Sequence, residues 1–301
     1  MQARGRKERS EGELLGPASR FYISQRLRLH YVDWGNRAAP PLVLMHGGRD
    51  HARSWDWIAG DLRRDYHVIA PDLRGHGDSA WAIGSLYHLA EFVIDLAQLI
   101  DALGHERVTL MGHSFGSSVC AAYAGANPER VERFVAIEGI DLPDAVLERI
   151  VFRPAERVSQ VIEMARQQAG RTKRPYKSIE AAAARMREEN TFLSEEQALH
   201  LTEHGVARNE DGTYSWKFDD YARGPKLFRF GDAEMRELVG RIECATLLVR
   251  GTESETPDPE RSGLLHSFQN ARAVAVSGAG HWVHHDRTEE LLRLVRDFLV
   301  E

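Results

Sequence analysis

Residues 112–116 read Gly-His-Ser-Phe-Gly, directly after the apolar run Val108 to Met111 and before a stretch carrying Val119, Ala121, Ala122 and Tyr123. A G-x-S-x-G run between a strand and a helix is the setting of a nucleophile elbow. The turn forces the serine into a strained backbone conformation, and side chains at the flanking glycines would clash with neighbouring elements. Ser114 is then held out at the C-terminal edge of a sheet, with the amides of the next helix facing a reacting carbonyl. A serine hydroxyl is a weak nucleophile, so it needs a histidine base and a carboxylate to orient that base. Of fourteen histidines, His281 is best placed. It lies in Gly278-Ala-Gly-His-Trp282, a small-residue loop after the last predicted strand, and a parallel sheet delivers such loops to one edge. His284 and His285 are close rivals that fall on the following turn.

The elements that must hold these residues are legible as alternating patterns. Phe21 to Gln25 and Leu27 to Tyr31 predict an opening hairpin, followed by a Gly35-Asn36 turn. Short apolar runs then appear at Leu42 to Met45, Val68 to Ala70, Val108 to Met111 and Phe134 to Ile137, and again at Thr246 to Val249 and Ala271 to Val276. Runs of this kind suit strands buried on both faces of a parallel sheet. Leu86 to Leu103 and Thr288 to Val300 carry apolar residues at helical spacing, the first ended by Gly104.

Between Asp141 and about Arg241 the rhythm stops, and the stretch is charged, alanine-rich and helical in propensity. It reads as an inserted cap. Ile179 to Glu189 is a helix within it, and Ser194 with Gln197 has the spacing of a capping box that starts another running towards His204. A turn at Asn209 to Gly212 precedes Tyr214, Trp216 and Phe218, which alternate as in an extended strand. Arg149 to Lys177 holds eight basic residues against two acidic ones. The plain reading is a solvated face; an anionic-ligand patch is the sharper one.

The chain has 301 residues, 43% of them hydrophobic and 28% charged, which suits a globular protein with a sizeable core. A net charge of −6 argues against dedicated nucleic-acid binding, and no apolar run reaches membrane-spanning length. Residues 1–17 read as a charged, disordered tail without a secretory h-region. The two cysteines, Cys120 and Cys244, stand in no metal-ligand or redox spacing and point to a reducing cytoplasm.

Taken together, His46-Gly-Gly48, the run from Asp72 to Ser79, the elbow, and Gly280-His-Trp282 occur in an order that resembles the α/β-hydrolase superfamily of serine hydrolases with a cap domain. The resemblance implies an α/β fold, a mostly parallel eight-stranded sheet flanked by helices. The core would comprise residues 18–140 and 241–301, with a mainly helical cap at 141–240. It also implies an oxyanion hole from the backbone amides of Gly48 and Phe115, with no metal or organic cofactor. His46 reads as a structural residue that holds its loop, and Asp72, Arg74 and Asp78 as a turn whose charged groups satisfy loop amides and carbonyls. Trp55 and Trp57 are packing residues by position, whereas one of Tyr214, Trp216 or Tyr221 is a candidate to touch substrate.

The acid departs from the commoner pattern of the resemblance. Where many relatives carry a carboxylate, three residues after the glycine that ends a late strand, this chain has Ser254 after Gly251. The alternative seat is the end of the strand next to the elbow, and Phe134 to Ile137 ends there in Glu138; haloalkane dehalogenases are among the relatives that use it. Glu138 is the expected acid, with Glu253, Glu255, Asp141 and Asp258 as alternatives. With serine as nucleophile the expected reaction is hydrolysis of a small to medium, partly apolar carboxylic ester through an acyl-enzyme. An aspartate at position 114 would be needed for dehalogenase or epoxide hydrolase chemistry. Hydrolysis of a carbon–carbon bond, a lactone or a thioester uses similar residues, and a receptor-like, ligand-binding member is the alternative of another class. Substrate would be a small molecule; nothing in the residues defines an oligomeric state.

Overall fold

The computed structural model describes residues 16–84, 87–141, 153–223, 228 and 230–301. Most of the expected N-terminal tail, and Arg149 of the basic stretch, lie outside these residues. The opening hairpin pairs β1 (Ala18–Ser24) antiparallel with β2 (Leu27–Asp33). Its two-residue turn places Gln25 at φ 47° and Arg26 at φ 69°, the paired left-handed geometry whose twist matches that of the flanking strands.

The apolar runs become β3 (Pro41–Met45), β4 (His67–Pro71), β5 (Val108–His113), β6 (Val131–Ile137), β9 (Ala245–Gly251) and β10 (Ala271–Val276). With the hairpin they make one eight-stranded sheet in the order β1-β2-β4-β3-β5-β6-β9-β10. β2 joins β4 antiparallel, and from β4 to β10 every pairing is parallel, so the sheet is mostly parallel as expected. Parallel pairing needs crossovers, and helices fill both faces. On one face α2 (Leu89–Leu103) and α3 (Phe115–Ala126) share a core with Val43, Leu110 and Phe134. On the other, α1 (Asp56–Leu62) and the C-terminal helix cover Leu44, Met111 and Val249. The helix expected from Leu86 is described from Leu89, and it ends at Gly104 in the left-handed conformation, φ 73°.

Between β6 and β9 the chain forms α4 (Pro154–Gln168), α5 (Ile179–Glu189), α6 (Glu195–Gly205), a two-stranded ribbon of β7 (Val206–Arg208) and β8 (Tyr214–Trp216), and α7 (Asp232–Gly240). The capping box at Ser194 forms reciprocally with Gln197. The extended run stops at Trp216, because β8 pairs with only three residues of β7; Phe218 lies beyond it. α5 packs on α6 through Ala183, Leu193, Ala198 and Leu201, with Trp57 of the core against them. His51 Nε2 donates to the Leu201 carbonyl at 2.8 Å, and Gln197 Nε2 to the His285 carbonyl at 3.0 Å. These bonds seat α6 over the C-terminal edge of the sheet. α7 instead joins the core, with Val239 in the same cluster as α3. The chain ends in α8 (Val283–Asp286) and α9 (Thr288–Val300).

One buried ion pair ties the hairpin, the loop after β4 and α2 together. Arg74 donates to Asp95 at 2.6 and 2.8 Å, and Gln25 of the hairpin turn reaches the same carboxylate at 3.2 Å. Breaking a buried pair by removing one partner typically costs about 3–5 kcal/mol, whereas replacing both by apolar residues of similar volume is far milder. Asp95→Ala is expected to lower the melting temperature strongly, and Arg74→Met/Asp95→Leu to recover most of the loss, as read by thermal denaturation.

Candidate active site

β5 delivers the elbow. Ser114 sits at φ 52° and ψ −122°, a conformation outside the favoured regions for a residue with a Cβ. Its amide is held by the Ile137 carbonyl of β6 at 2.9 Å, and its carbonyl accepts from Ser117 at 2.9 Å as α3 begins. A Cβ at Gly116 would lie 2.3 Å from the Met45 carbonyl oxygen, so α3 can leave the elbow only if this residue is glycine. Phe115 is the first residue of α3, where the N–H has no intrahelical acceptor.

β6 ends in a second tight exit packed against the first. Glu138 has φ 50°, and a Cβ at Gly139 would stand 2.4 Å from the Ser114 carbonyl oxygen. The Glu138 amide is anchored by the Val249 carbonyl at 2.8 Å. Its fully buried carboxylate meets three donors. Gly251 N–H reaches Oε1 at 2.6 Å, the Ser254 hydroxyl reaches Oε2 at 2.6 Å, and His281 Nδ1 stands 3.3 Å from the same Oε2. The serine at the commoner acid seat thus donates to the carboxylate on the neighbouring strand. The other carboxylates lie elsewhere: Glu253 takes the Thr252 hydroxyl, Glu255 is exposed, Asp258 accepts from Glu260 N–H, and Asp141 pairs with Ser262 and Arg236.

The loop carrying His281 rests on the elbow strand. His113, buried beneath Ser114, places Nε2 2.8 Å from the His281 carbonyl oxygen. His284 and His285 are buried on α8, where His284 stacks on Trp55 at 4.7 Å and His285 meets Trp57 edge-on. Neither has a carboxylate partner among the described residues.

On the opposite side, His46 has the structural part expected of it. Leu73 N–H donates to Nε2, so Nδ1 carries the proton and donates to the Gly47 carbonyl; burial holds this imidazole down to about 3. Gly47 is the residue pressed against the elbow, since a Cβ there would be 2.9 Å from His113 Nδ1 and 3.1 Å from Ser114 Cβ. Gly48 faces open space and lines a cavity. Asp72 accepts from His30 at 2.7 Å, Ala52 N–H at 2.6 Å and Asp78 N–H at 2.8 Å. Burial alone would raise its pKa, but the His30 bond and nearby charge outweigh it and hold the carboxyl well below the usual range.

The cavity measures about 510 Å³ and lies between Gly48, Arg49 and Trp282 of the core and Tyr176, Met186, Leu193, Leu201, Trp216 and Phe218 of the intervening segment. Of the three aromatic candidates, Trp216 lines it, with Tyr176 and Phe218 in place of Tyr214 and Tyr221. The basic stretch divides. Arg153 and Arg166 of α4 are exposed, while Arg171, Lys173 and Arg174 reach the cavity. The Lys173 ammonium donates to the Trp216 and Phe218 carbonyls at 2.7 and 2.6 Å and stands 4.0 Å over the Trp81 ring. Among the described residues, three groups of side chains have the composition of metal ligands. His30–Asp72–Asp78 and Asp56–His200–His204 contain internal ion pairs; Asp50–His113–His284, behind the elbow, contains none.

A family model of the alpha/beta hydrolase fold matches residues 40–288. The chain is 28% identical to esterase YbfF of Escherichia coli, over 86% of this chain and 92% of that one. It is 27% identical to 2-hydroxy-6-oxo-2,4-heptadienoate hydrolase of Pseudomonas putida, over 90% and 91% respectively. The solved thioesterase domain from the curacin biosynthetic pathway superposes with a TM-score of 0.83 at 24% identity, covering 94% of this chain and all of that one. The protein belongs to the alpha/beta hydrolase fold family. It is a hydrolase of that fold, and none of its described helices is long and apolar enough to cross a membrane.

Two measurements probe this geometry. Loss of the carboxylate beside a catalytic imidazole typically costs about 10⁴-fold, and one hydrogen bond to a charged group is worth roughly 1.5–3 kcal/mol, or about 10- to 150-fold. Glu138→Gln is therefore expected to lose about 10³- to 10⁴-fold in hydrolytic kcat/KM and Ser254→Ala about tenfold or more; a Glu138→Gln enzyme with near-normal turnover removes the glutamate from the site. Asp286 binds Gly280 N–H at 2.9 Å, and burial pushes its carboxyl up to about 6 from an ordinary 3.8. A raised carboxyl favours the folded state fully below about pH 4, and that contribution is lost as pH climbs towards 6. The melting temperature of Asp286→Asn relative to the parent protein should accordingly rise between pH 4 and pH 7.

Proposed function

We propose that this chain is a serine hydrolase that cleaves carboxylic esters through an acyl-enzyme. The observation that carries the reading is the meeting of His281 Nδ1 with the buried Glu138 carboxylate, on a loop bonded to the strand that presents Ser114. In this reading Ser114 Oγ attacks the ester carbonyl while the other nitrogen of His281 takes its proton. The alcohol leaves with that proton, water then attacks the acyl-enzyme by the same route, and the acid is released with Ser114 restored. Glu138 orients the imidazole and stabilises its charged form. The amides of Gly48 and Phe115 hold the oxyanion; losing one such donor typically costs about 10²- to 10³-fold.

Residues 141–240 act as the cap, α5 and α6 with the β-ribbon roofing the cavity and α7 fastening the segment to α3. A cavity of about 510 Å³ with aromatic, aliphatic and charged walls suits an ester of small to medium size. The likeness to the Pseudomonas hydrolase favours carbon–carbon bond hydrolysis as the second reading, and product analysis separates the two. The two unpaired thiols, Cys120 and Cys244, support a reducing cytoplasmic setting.

A fluorophosphonate probe tests the nucleophile and the receptor-like alternative together. The folded protein is expected to be labelled at Ser114, and Ser114→Ala is expected to lose labelling and to lower 4-nitrophenyl ester turnover by at least about 10⁴-fold. Folded protein that resists the probe overturns the enzyme reading.

A further inference from the structure

Behind the elbow, three buried polar groups converge with their hydrogen-bonding capacity unused. His113 Nε2 faces the His281 carbonyl at 2.8 Å, and a carbonyl only accepts, so Nε2 carries the proton and Nδ1 is a lone pair. That Nδ1 has no partner. Asp50 accepts the His51 amide on Oδ1 at 2.8 Å, while its buried Oδ2 has none. His284, 1% exposed, lacks a partner on either ring nitrogen. One ligand atom from each of the three lies within 4.8 Å of the others. The Ser54 hydroxyl stands beside Asp50 as a neighbouring donor, outside good hydrogen-bond geometry.

The accounting leaves lone pairs gathered at one point. His113 Nδ1 is a lone pair by the tautomer that its Nε2 bond fixes, and a neutral His284 has another on whichever ring nitrogen is not protonated. A neutral His284 has one N–H, which can serve one of the two acceptors facing it but not both. A buried polar atom left unpaired is destabilising, and a cation would meet the unpartnered Asp50 Oδ2, His113 Nδ1 and His284 nitrogen at once.

We propose that Asp50, His113 and His284 form a binding site for a divalent transition-metal ion of the zinc class. One carboxylate and two neutral imidazoles are the borderline donor set such ions prefer. Ligand atoms at about 2.0–2.2 Å from an ion stand roughly 3.4 Å apart in a tetrahedron, so atoms within 4.8 Å of one another close by at most about 1.4 Å around it. Asp50 lines the large cavity, which gives the ion its route in and leaves a fourth position for water. The hydrogen bond from His113 Nε2–H to the His281 carbonyl serves as the outer contact that fixes the ligand's tautomer. Metal on this site places positive charge behind His281. The proposal does not depend on the esterase reading.

The test uses the full chain, freed of metal by chelator and dialysis and titrated with cobalt(II) and zinc(II). Expected are one equivalent bound, the visible absorption bands of four-coordinate cobalt, and a melting temperature raised by zinc. Asp50→Asn, nearly isosteric and at the cavity wall, should weaken binding at least about 100-fold with its circular dichroism unchanged, and His284→Gln should do the same. His200→Gln, in the separate Asp56 group, should leave binding intact. No uptake of either ion overturns the proposal, as does uptake that Asp50→Asn leaves unchanged or that His200→Gln abolishes.

Discussion

A carboxylate withdrawn from water must be met by donors on every side, and at Glu138 this requirement organises the C-terminal edge of the sheet. The donors come from β9, from the loop that follows it and from the loop after β10. Each is in place only if β6 pairs with β9 in the observed register, Ile137 opposite Val249. A slip by one residue would turn the side chain of Glu138 to the other face of the sheet. The same strand end also carries Gly139, whose lack of a side chain lets it lie against Ser114. Glu138 and Ser114 are therefore parts of one packed joint between two neighbouring strand exits, and the loop of His281 closes over both.

Much of this was legible from residue patterns, because the signals are local. Buried parallel strands show as short apolar runs, and the elbow shows as two glycines about a serine, a spacing demanded by crowding against Met45 at Gly116 and against the first turn of α3 at Gly112. The capping box at Ser194 and the left-handed end of α2 at Gly104 are likewise local. The identity of the acid is a different kind of fact. Glu138 and Glu253 both follow strands, and only the cross-sheet register separates a carboxylate pointing at His281 from one bonded to its neighbour Thr252. The place of Gly47 and Gly48 was hidden for the same reason: adjacent glycines look alike until His113 is known to lie beneath the first of them.

The intervening segment shows where pattern reading fails by degree. Its helices follow from propensity and caps, but the cavity wall is assembled from residues far apart in the chain. Arg171, Lys173 and Arg174 belong to one basic run, yet it leaves a solvated helix and ends against Trp216 and Phe218. A charge count over the run averages two environments. The burial of the Lys173 ammonium under two carbonyls and an aromatic face depends on where the ribbon sits, which no local signal encodes. The carboxylate and the two histidines behind the elbow are hidden in the same sense, since positions 50, 113 and 284 share neither an element nor a spacing.

The hydrogen bond from Ser254 to Glu138 makes the orientation of one carboxylate a shared property of two strands. Oε2 takes the hydroxyl of a loop that follows β9 at 2.6 Å and stands 3.3 Å from His281 Nδ1 on the loop that follows β10. The carboxylate cannot swing away from the imidazole without first giving up a bond to a loop it does not belong to, so a displacement of the loop after β9 is felt at His281.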